Sequence, residues 1–152
     1  MSTRDTSLVE IDKDRLDTEW AGQAGLFYDH AMQLAEAKLN QASAKTNVDL
    51  VEADLSLKIR SNPDQYGLGK VTEAAIKDTV TTHPAYAKAV AEGYEARYET
   101  DVLQAAVDAL EHRKRALESL VQLHGMSYFS QPKERKAVTR EDVTAGKKSK
   151  KA

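Results

Sequence analysis

The sequence predicts an all-α fold, in which two long helices form an elongated antiparallel hairpin with a short connecting helix. Two observations support the long helices: residues 12–60 contain no proline, and residues 84–124 contain none after Pro84, the first of them. The third observation is that helix-breaking residues lie between these stretches, at Asn62-Pro63, Gly67 and Gly69. The residue before a proline disfavours helix, and glycines are typical of turns.

Composition indicates a thin core. The 152 residues suit one domain, but 30% are charged and only 6% are aromatic. Long helices with so little core material are expected to bury much of their apolar surface between subunits. The absence of cysteine excludes disulfides and thiolate metal sites and favours a reducing compartment. We expect no signal peptide and no membrane span, because no apolar run approaches about 18 residues.

The net charge of −2 is unevenly distributed. Residues 131–152 carry eight basic and three acidic residues, whereas residues 1–130 carry 14 and 21. We therefore predict a polar lead-in over 1–12, a single helical oligomerisation and DNA-binding domain over 13–130, and a disordered basic tail over 131–152. With an acidic body, any binding of nucleic acid must depend on local patches.

The first long helix is predicted from about Asp12 to Arg60. One residue in seven forms a row along it, as expected of helix packing: Trp20, Phe27, Leu34, Gln41, Val48 and Leu55. At about 1.5 Å per residue the helix reaches roughly 70 Å. Whether it continues past Gly22 and Gly25 is left open.

The later elements have clear start signals. A short helix is predicted to begin after Thr72, whose hydroxyl can cap its free amides, and to run to about Thr81. His83-Pro84 starts the second long helix, since proline is tolerated at the first position, and Gly125 is its C-terminal stop. One apolar row of this helix contains Leu103, Leu110 and Leu117.

No catalytic, cofactor or metal site is predicted. Gly69-Lys70-Val71-Thr72 superficially suggests a phosphate loop, but that motif requires a glycine where Asp64 stands and Ser or Thr where Val71 stands. The four histidines have no short ligand spacing, and no serine, histidine and acid arrangement can be proposed. An enzyme is therefore not expected.

Lys58 and Arg60 have two interpretations. Asp54 precedes Lys58 by four residues, so the two can form an exposed ion pair, and both cations suit the last turn of a helix. Alternatively the helix frays before Pro63, and an extended segment presents both cations to successive phosphates. In that case Tyr66 supplies a stacking ring and Lys70 a further cation.

Other candidates favour structural roles. Arg113-Lys114-Arg115 is interpreted as a solvated face that pairs with Glu111 and Glu118. The helical spacing of Trp20, Phe27 and Tyr28 favours packing or a subunit interface over base stacking. The interface residues predicted from the apolar rows are Trp20, Phe27, Leu34, Leu103, Leu110 and Leu117.

Several stretches resemble one known family. They are Leu57-Lys58-Ile59-Arg60, Tyr66-Gly67, Lys70-Val71-Thr72-Glu73-Ala74-Ala75-Ile76, His83-Pro84-Ala85-Tyr86 and 109–120. Together they are similar to the UvsY-like recombination mediators of tailed bacteriophages, over roughly residues 17–130. The block from Leu57 to Tyr86 is the most specific part.

The resemblance implies a non-enzymatic, ring-forming homo-oligomer in the cytoplasm of the infected bacterial host. Such a protein binds single-stranded DNA, remodels the single-strand-binding protein and helps load a RecA-like recombinase. The family's DNA-contact step falls on Lys58 and Arg60. The alternative is a structural or assembly coiled-coil protein, such as a phage scaffold or adaptor, that binds no nucleic acid.

Overall fold

The computed structural model describes residues 6–126 of the chain, and within this range it is all-helical, with three α-helices and no strand. The helices are α1 (Leu16–Ser61), α2 (Glu73–Thr82) and α3 (Pro84–Gly125). Short 3-10 turns occur at Ser7–Val9 and Pro63–Tyr66. The chain divides into two compact units, residues 1–118 and 119–152. Only 119–126 of the second unit, the last turns of α3 and the residue after it, are described.

The predicted helix boundaries are close to the observed ones. The Thr72 hydroxyl accepts a hydrogen bond from the Ala75 amide at 3.2 Å, which confirms the predicted cap of α2. α3 begins at Pro84 as predicted, and the ring of His83 caps it by accepting from the Ala85 amide at 3.1 Å. The predicted basic tail over 131–152 lies outside the described residues.

α1 is continuous through Gly22 and Gly25. A Cβ atom added at either glycine would meet nothing within 4 Å, so close packing does not explain these two residues. Gly67 is different, because its φ of 71° lies in the left-handed region that favours glycine. It ends the 3-10 turn after α1, and its amide donates to the Asp64 carbonyl at 3.2 Å.

Within the first unit, α1 and α3 run antiparallel. Gln23 contacts Leu110, Lys38 contacts Gln104 and Val48 contacts Gly93, so the residue number rises along α1 as it falls along α3. Residues buried along these helices include Leu34, Ala37, Ala89, Val107 and Leu110. The core between the two helices is therefore narrow and built largely from alanine, valine and leucine, as the composition indicates.

A second part of the core lies where α1 ends. Leu55 and Ile59 of α1 cluster with Ile76 and Val80 of α2. Four half-buried side chains pack against this cluster: Val51, Tyr66, Leu68 and Tyr86. Full burial of each aliphatic side chain contributes about 1.5–3 kcal/mol, so this cluster fixes α2 and the connecting loop against the end of α1.

Arg113 is buried, which contradicts the interpretation of 113–115 as a solvated face. Its guanidinium donates to the Glu19 carboxylate and to the Gln23 side-chain oxygen. It also donates to the backbone carbonyl of Glu10 at 3.3 Å, and the Gln23 amide donates to the Leu110 carbonyl at 2.8 Å. The guanidinium thus joins α3, the start of α1 and the residues before α1 in one hydrogen-bonded network.

The network extends to the residues before α1. The second Glu19 oxygen accepts from the Asp12 amide at 3.1 Å, and the Asp12 carboxylate accepts from the Asp14 amide at 3.0 Å. Residues 10–14, part of which the sequence suggests is only a polar lead-in, are therefore held against α1 and α3. No buried side-chain nitrogen or oxygen within 6–126 lacks a hydrogen-bond partner.

Replacement of Arg113 by alanine is expected to lower the free energy of unfolding by about 3–5 kcal/mol, because it leaves one oxygen of the partly buried Glu19 carboxylate and the buried Gln23 oxygen without their donor. Lys114→Ala is the matched control, since Lys114 has only an exposed ion pair with Glu118 at 3.9 Å. Urea denaturation followed by circular dichroism measures both. Equal effects of the two substitutions would contradict the network's role.

Candidate nucleic-acid interface

The candidate site lies at the end of α1, where Leu57-Lys58-Ile59-Arg60 remains helical. The prediction that this step is extended is wrong, because the helix continues to Ser61 in spite of Pro63. Ile59 is 0% exposed and belongs to the cluster with α2, which holds the last turn in helical form. Lys58 and Arg60 are therefore about 200° apart around the helix, on either side of a buried side chain.

Each cation has a carboxylate partner. Lys58 donates to Asp54 at 2.6 Å, which confirms the ion pair predicted from their four-residue spacing. Arg60 donates from one nitrogen to both oxygens of Glu73, at 2.9 and 3.1 Å. Glu73 is the first residue of α2, so this second pair links the end of α1 to the start of α2. All four side chains remain largely exposed to solvent.

The other two predicted residues differ from each other. Lys70 is exposed in the loop before α2. Tyr66 is half-buried, packs against the cluster of Leu55 and Ile59, and lies 6.4 Å from His83 between ring centroids, with the planes tilted by 52°. Its packing favours the role of loop anchor, and its stacking on a base stays a prediction.

Among the predicted interface residues, Leu34, Leu110 and Leu117 are buried within the chain, and Leu103 and Phe27 are half-buried. Trp20 is 44% exposed and lines, with Phe27, Ala24, Leu110 and Lys114, a groove of about 600 Å³ between α1 and α3. The buried leucines have a role inside one chain. Their part in an interface between subunits stays a prediction.

Glu73 is the site residue that sequence reasoning missed. It lies 13 positions from Arg60, beyond the reach of any helical spacing rule. The sequence could have indicated the pair only through three features taken together. These are a helix that ends at Arg60, a short loop, and an acidic residue at the start of the next helix.

The exposed cations of this site could bind an anion only weakly. The site combines three exposed cations with two carboxylates that already neutralise two of them, and a phosphate must compete with these carboxylates. Exposed ion pairs contribute little to stability, so such an exchange costs little free energy.

Within residues 6–126 there is no cluster of three or more histidine, aspartate or glutamate side chains that could hold a metal ion. None of the described helices combines the length and apolar character that a membrane crossing requires.

Comparisons with known proteins give no match, either to a protein-family model, to a curated protein or to a solved structure.

The Asp54 carboxylate raises the pKa of Lys58, first through its hydrogen bond and then through its charge. Because the folded-state pKa is raised, the pair's contribution to stability is complete below the unfolded-state pKa of about 10.4, and is lost as the pH rises through the folded-state value.

Asp54→Asn is expected to lower the pKa of Lys58. An NMR titration of its side-chain carbon from about pH 9 to about pH 12 measures the shift. An unchanged titration would contradict the ion pair.

Proposed function

We propose that this chain is an oligomeric mediator of homologous recombination that binds single-stranded DNA and helps load a RecA-like recombinase onto strands covered by single-strand-binding protein. The observation that carries the proposal is the placement of Lys58 and Arg60. Both are exposed at one end of α1, anchored by the buried Ile59 between them, and near the loop that contains Lys70. These are the positions to which the family resemblance assigns DNA contact.

The helical geometry changes how the two cations can act. Residues on opposite sides of a helix cannot contact successive phosphates from one face, as an extended segment would. Instead, a strand that crosses the end of α1 meets Lys58 on one side and Arg60 on the other. The DNA phosphates replace the carboxylates of Asp54 and Glu73 as partners of these cations.

A single subunit offers few phosphate contacts, so affinity depends on repetition. Two contacts on single-stranded DNA give a salt-sensitive and weak interaction. In a ring, each subunit presents the same pair, and contacts along one strand add through effective concentration. This arrangement reconciles DNA binding with the acidic charge of residues 1–130.

A second candidate function is a coiled-coil assembly protein that binds no nucleic acid. The observation that favours it is that both cations are already paired with carboxylates. If the chain is such an assembly protein, Lys58 and Arg60 only stabilise the end of α1 and the start of α2. The two candidates differ in what substitutions at these pairs do to DNA affinity.

The Lys58→Ala/Arg60→Ala variant is expected to bind a fluorescent oligo-dT at least about 10-fold more weakly than the wild type. Wild-type affinity is expected to fall at least about 7-fold between about 50 and about 200 mM salt, the effect of two phosphate contacts on a single strand. Fluorescence anisotropy measures both quantities.

The matched control is Lys88→Ala/Arg97→Ala, which removes the same charges from α3, where Lys88 and Arg97 pair with Glu92 and Asp101. It should retain most of the affinity. Wild-type-like binding by the Lys58/Arg60 variant, equal losses in both variants, or salt-independent binding would reject the proposed function.

Glu73→Gln tests the exchange of carboxylate for phosphate directly. It removes the negative charge that holds Arg60, so single-stranded DNA is expected to bind about 3-fold more tightly. Glu92→Gln removes an equivalent carboxylate from the pair with Lys88 and should have a smaller effect. If Arg60 serves only to join α1 to α2, Glu73→Gln lowers stability without strengthening DNA binding.

A further inference from the structure

Trp20 is the only tryptophan of the chain, and the fold leaves it accessible to a ligand. It is 44% exposed and lies, with the half-buried Phe27, in the groove of about 600 Å³ between α1 and α3. Ligand pockets typically have volumes of about 300–1,000 Å³. Exposed aromatic rings are the side chains on which the bases of single-stranded nucleic acids stack. The groove therefore has the size and the rings to take one base.

The polar groups of the groove do not attract a phosphate. On its floor, the Gln23 amide donates to the Leu110 carbonyl and the Gln23 oxygen accepts from Arg113, so these groups already have partners. The charges of its α3 wall cancel, since that wall has two acidic and two basic residues: Glu111, Lys114, Arg115 and Glu118. A base in the groove would therefore direct its phosphates along α1.

Two lysines continue the line of Trp20 and Phe27 along α1. Lys45 comes 18 residues, or about five full turns, after Phe27, and Lys38 comes 11 residues after it, about 20° away around the helix. Both lysines are exposed. The ammonium group of Lys38 donates to the uncharged side-chain oxygen of Gln104 at 3.3 Å. Within residues 6–126, neither lysine forms an ion pair with a carboxylate.

This state distinguishes the two lysines from Lys58 and Arg60, each of which is paired with a carboxylate. A phosphate can bind Lys38 or Lys45 without displacing a carboxylate first. Contacts to these lysines therefore lose less of their Coulomb energy to competition within the protein.

The surface has clear limits along α1. Asp49 and Glu52 follow Lys45 on the same side of the helix, within about 40° of its line, so the cationic stretch ends there. The stretch is therefore separate from the end of α1. We name the surface from Trp20 to Lys45, which includes Phe27 and Lys38, the Trp20 track.

The other flank of the helix pair does not suit an anion. Asn40 lies about 140° around α1 from Phe27, so these two residues belong to different flanks. The groove beside Asn40, of about 540 Å³, has Glu36 and Glu99 in its lining and, among the described residues, no lysine or arginine. Two carboxylates without a neighbouring cation repel a phosphate backbone. Charge therefore favours the flank of Trp20 for a nucleic-acid strand.

We infer that the Trp20 track is a second contact site for single-stranded DNA, in which one base stacks on Trp20 and phosphates further along the strand bind Lys38 and Lys45. Trp20 and Lys45 are about 38 Å apart along the helix, a distance that a free nucleotide cannot span. The ligand that reaches both ends is therefore a strand. Since stacking tolerates any base and the lysines contact only the backbone, the track binds without regard to sequence.

The inference deepens the proposed function and rests on it for the identity of the ligand. The site itself is argued from the groove and the two lysines, and it makes no use of Lys58 or Arg60.

The intrinsic fluorescence of Trp20 reports on this site alone, because the chain has no other tryptophan. Oligo-dT is expected to quench this fluorescence in the whole chain, whereas dTMP at the same nucleotide concentration should leave it unchanged. Equal quenching by dTMP would show a pocket for a free nucleotide. Fluorescence that responds to dilution of the protein and not to oligo-dT would place Trp20 in a subunit interface. Either result would overturn the inference.

Substitutions separate the stacked base from the phosphate contacts. Lys38→Ala/Lys45→Ala is expected to weaken oligo-dT binding at least about 5-fold and to lower the slope of log affinity against log salt by about 1.4, the effect of two phosphates on a single strand. Trp20→Ala should also weaken binding at least about 5-fold, with little change in that slope, because a stacked base carries no charge.

The matched control is Lys77→Ala/Lys88→Ala, which removes two exposed lysines from α2 and α3 outside the track. It should keep most of the affinity. All the replaced residues are exposed, so every variant should keep the helical circular dichroism of the wild type. An unchanged salt slope for the Lys38/Lys45 variant, or equal losses in that variant and the control, would overturn the inference.

Failure of the track and failure of the proposed function give different results. DNA binding that depends on Lys58 and Arg60 but neither quenches Trp20 nor needs Lys38 and Lys45 would overturn the track and keep the proposed function. Quenching that needs Lys38 and Lys45, with wild-type affinity in the Lys58→Ala/Arg60→Ala variant, would keep the track and reject the role of Lys58 and Arg60.

Discussion

Arg113 lies where α3, the start of α1 and the residues before α1 meet, and its buried guanidinium is the interaction on which the arrangement of these segments depends. The core between α1 and α3 is narrow and rich in small side chains, so apolar packing alone permits neighbouring registers. A buried cation of α3 with partners on two other segments tolerates only one register, because any slip leaves charges or hydrogen-bonding groups unpaired. The antiparallel pairing then determines which residues of each helix face outward.

The same pairing positions the candidate site. α1 extends past the cluster of Ile59, Ile76 and Val80, and this cluster holds its last turn helical up to Ser61. Lys58 and Arg60 are consequently displayed on two sides of a rigid helix end, each held by an exposed carboxylate. Contacts this weak would give one subunit little affinity for a strand. If many subunits repeat them on rigid helix ends, the combined affinity is much higher.

Much of the fold follows from local sequence signals. Asn62-Pro63, Thr72, His83-Pro84 and Gly125 mark helix boundaries because caps and breakers act over a few residues. Local signals do not determine which residues of different helices contact each other. The charged neighbours Lys114 and Arg115 favour a solvated surface for Arg113. However, Arg113 falls between the buried Leu110 and Leu117 on one side of α3. The Arg60–Glu73 pair and the helical form of the cation step both depend on how α2 packs, which no spacing rule encodes.

We propose that assembled copies of this chain bind single-stranded DNA through repeated weak contacts. The most direct test measures affinity for oligo-dT of increasing length, for the wild type and for the Lys58→Ala/Arg60→Ala variant. Wild-type affinity is expected to rise steeply once the strand is long enough to reach a second subunit, and the variant is expected to show only a shallow rise. Affinity that is independent of strand length, or equal in the two proteins, would contradict it.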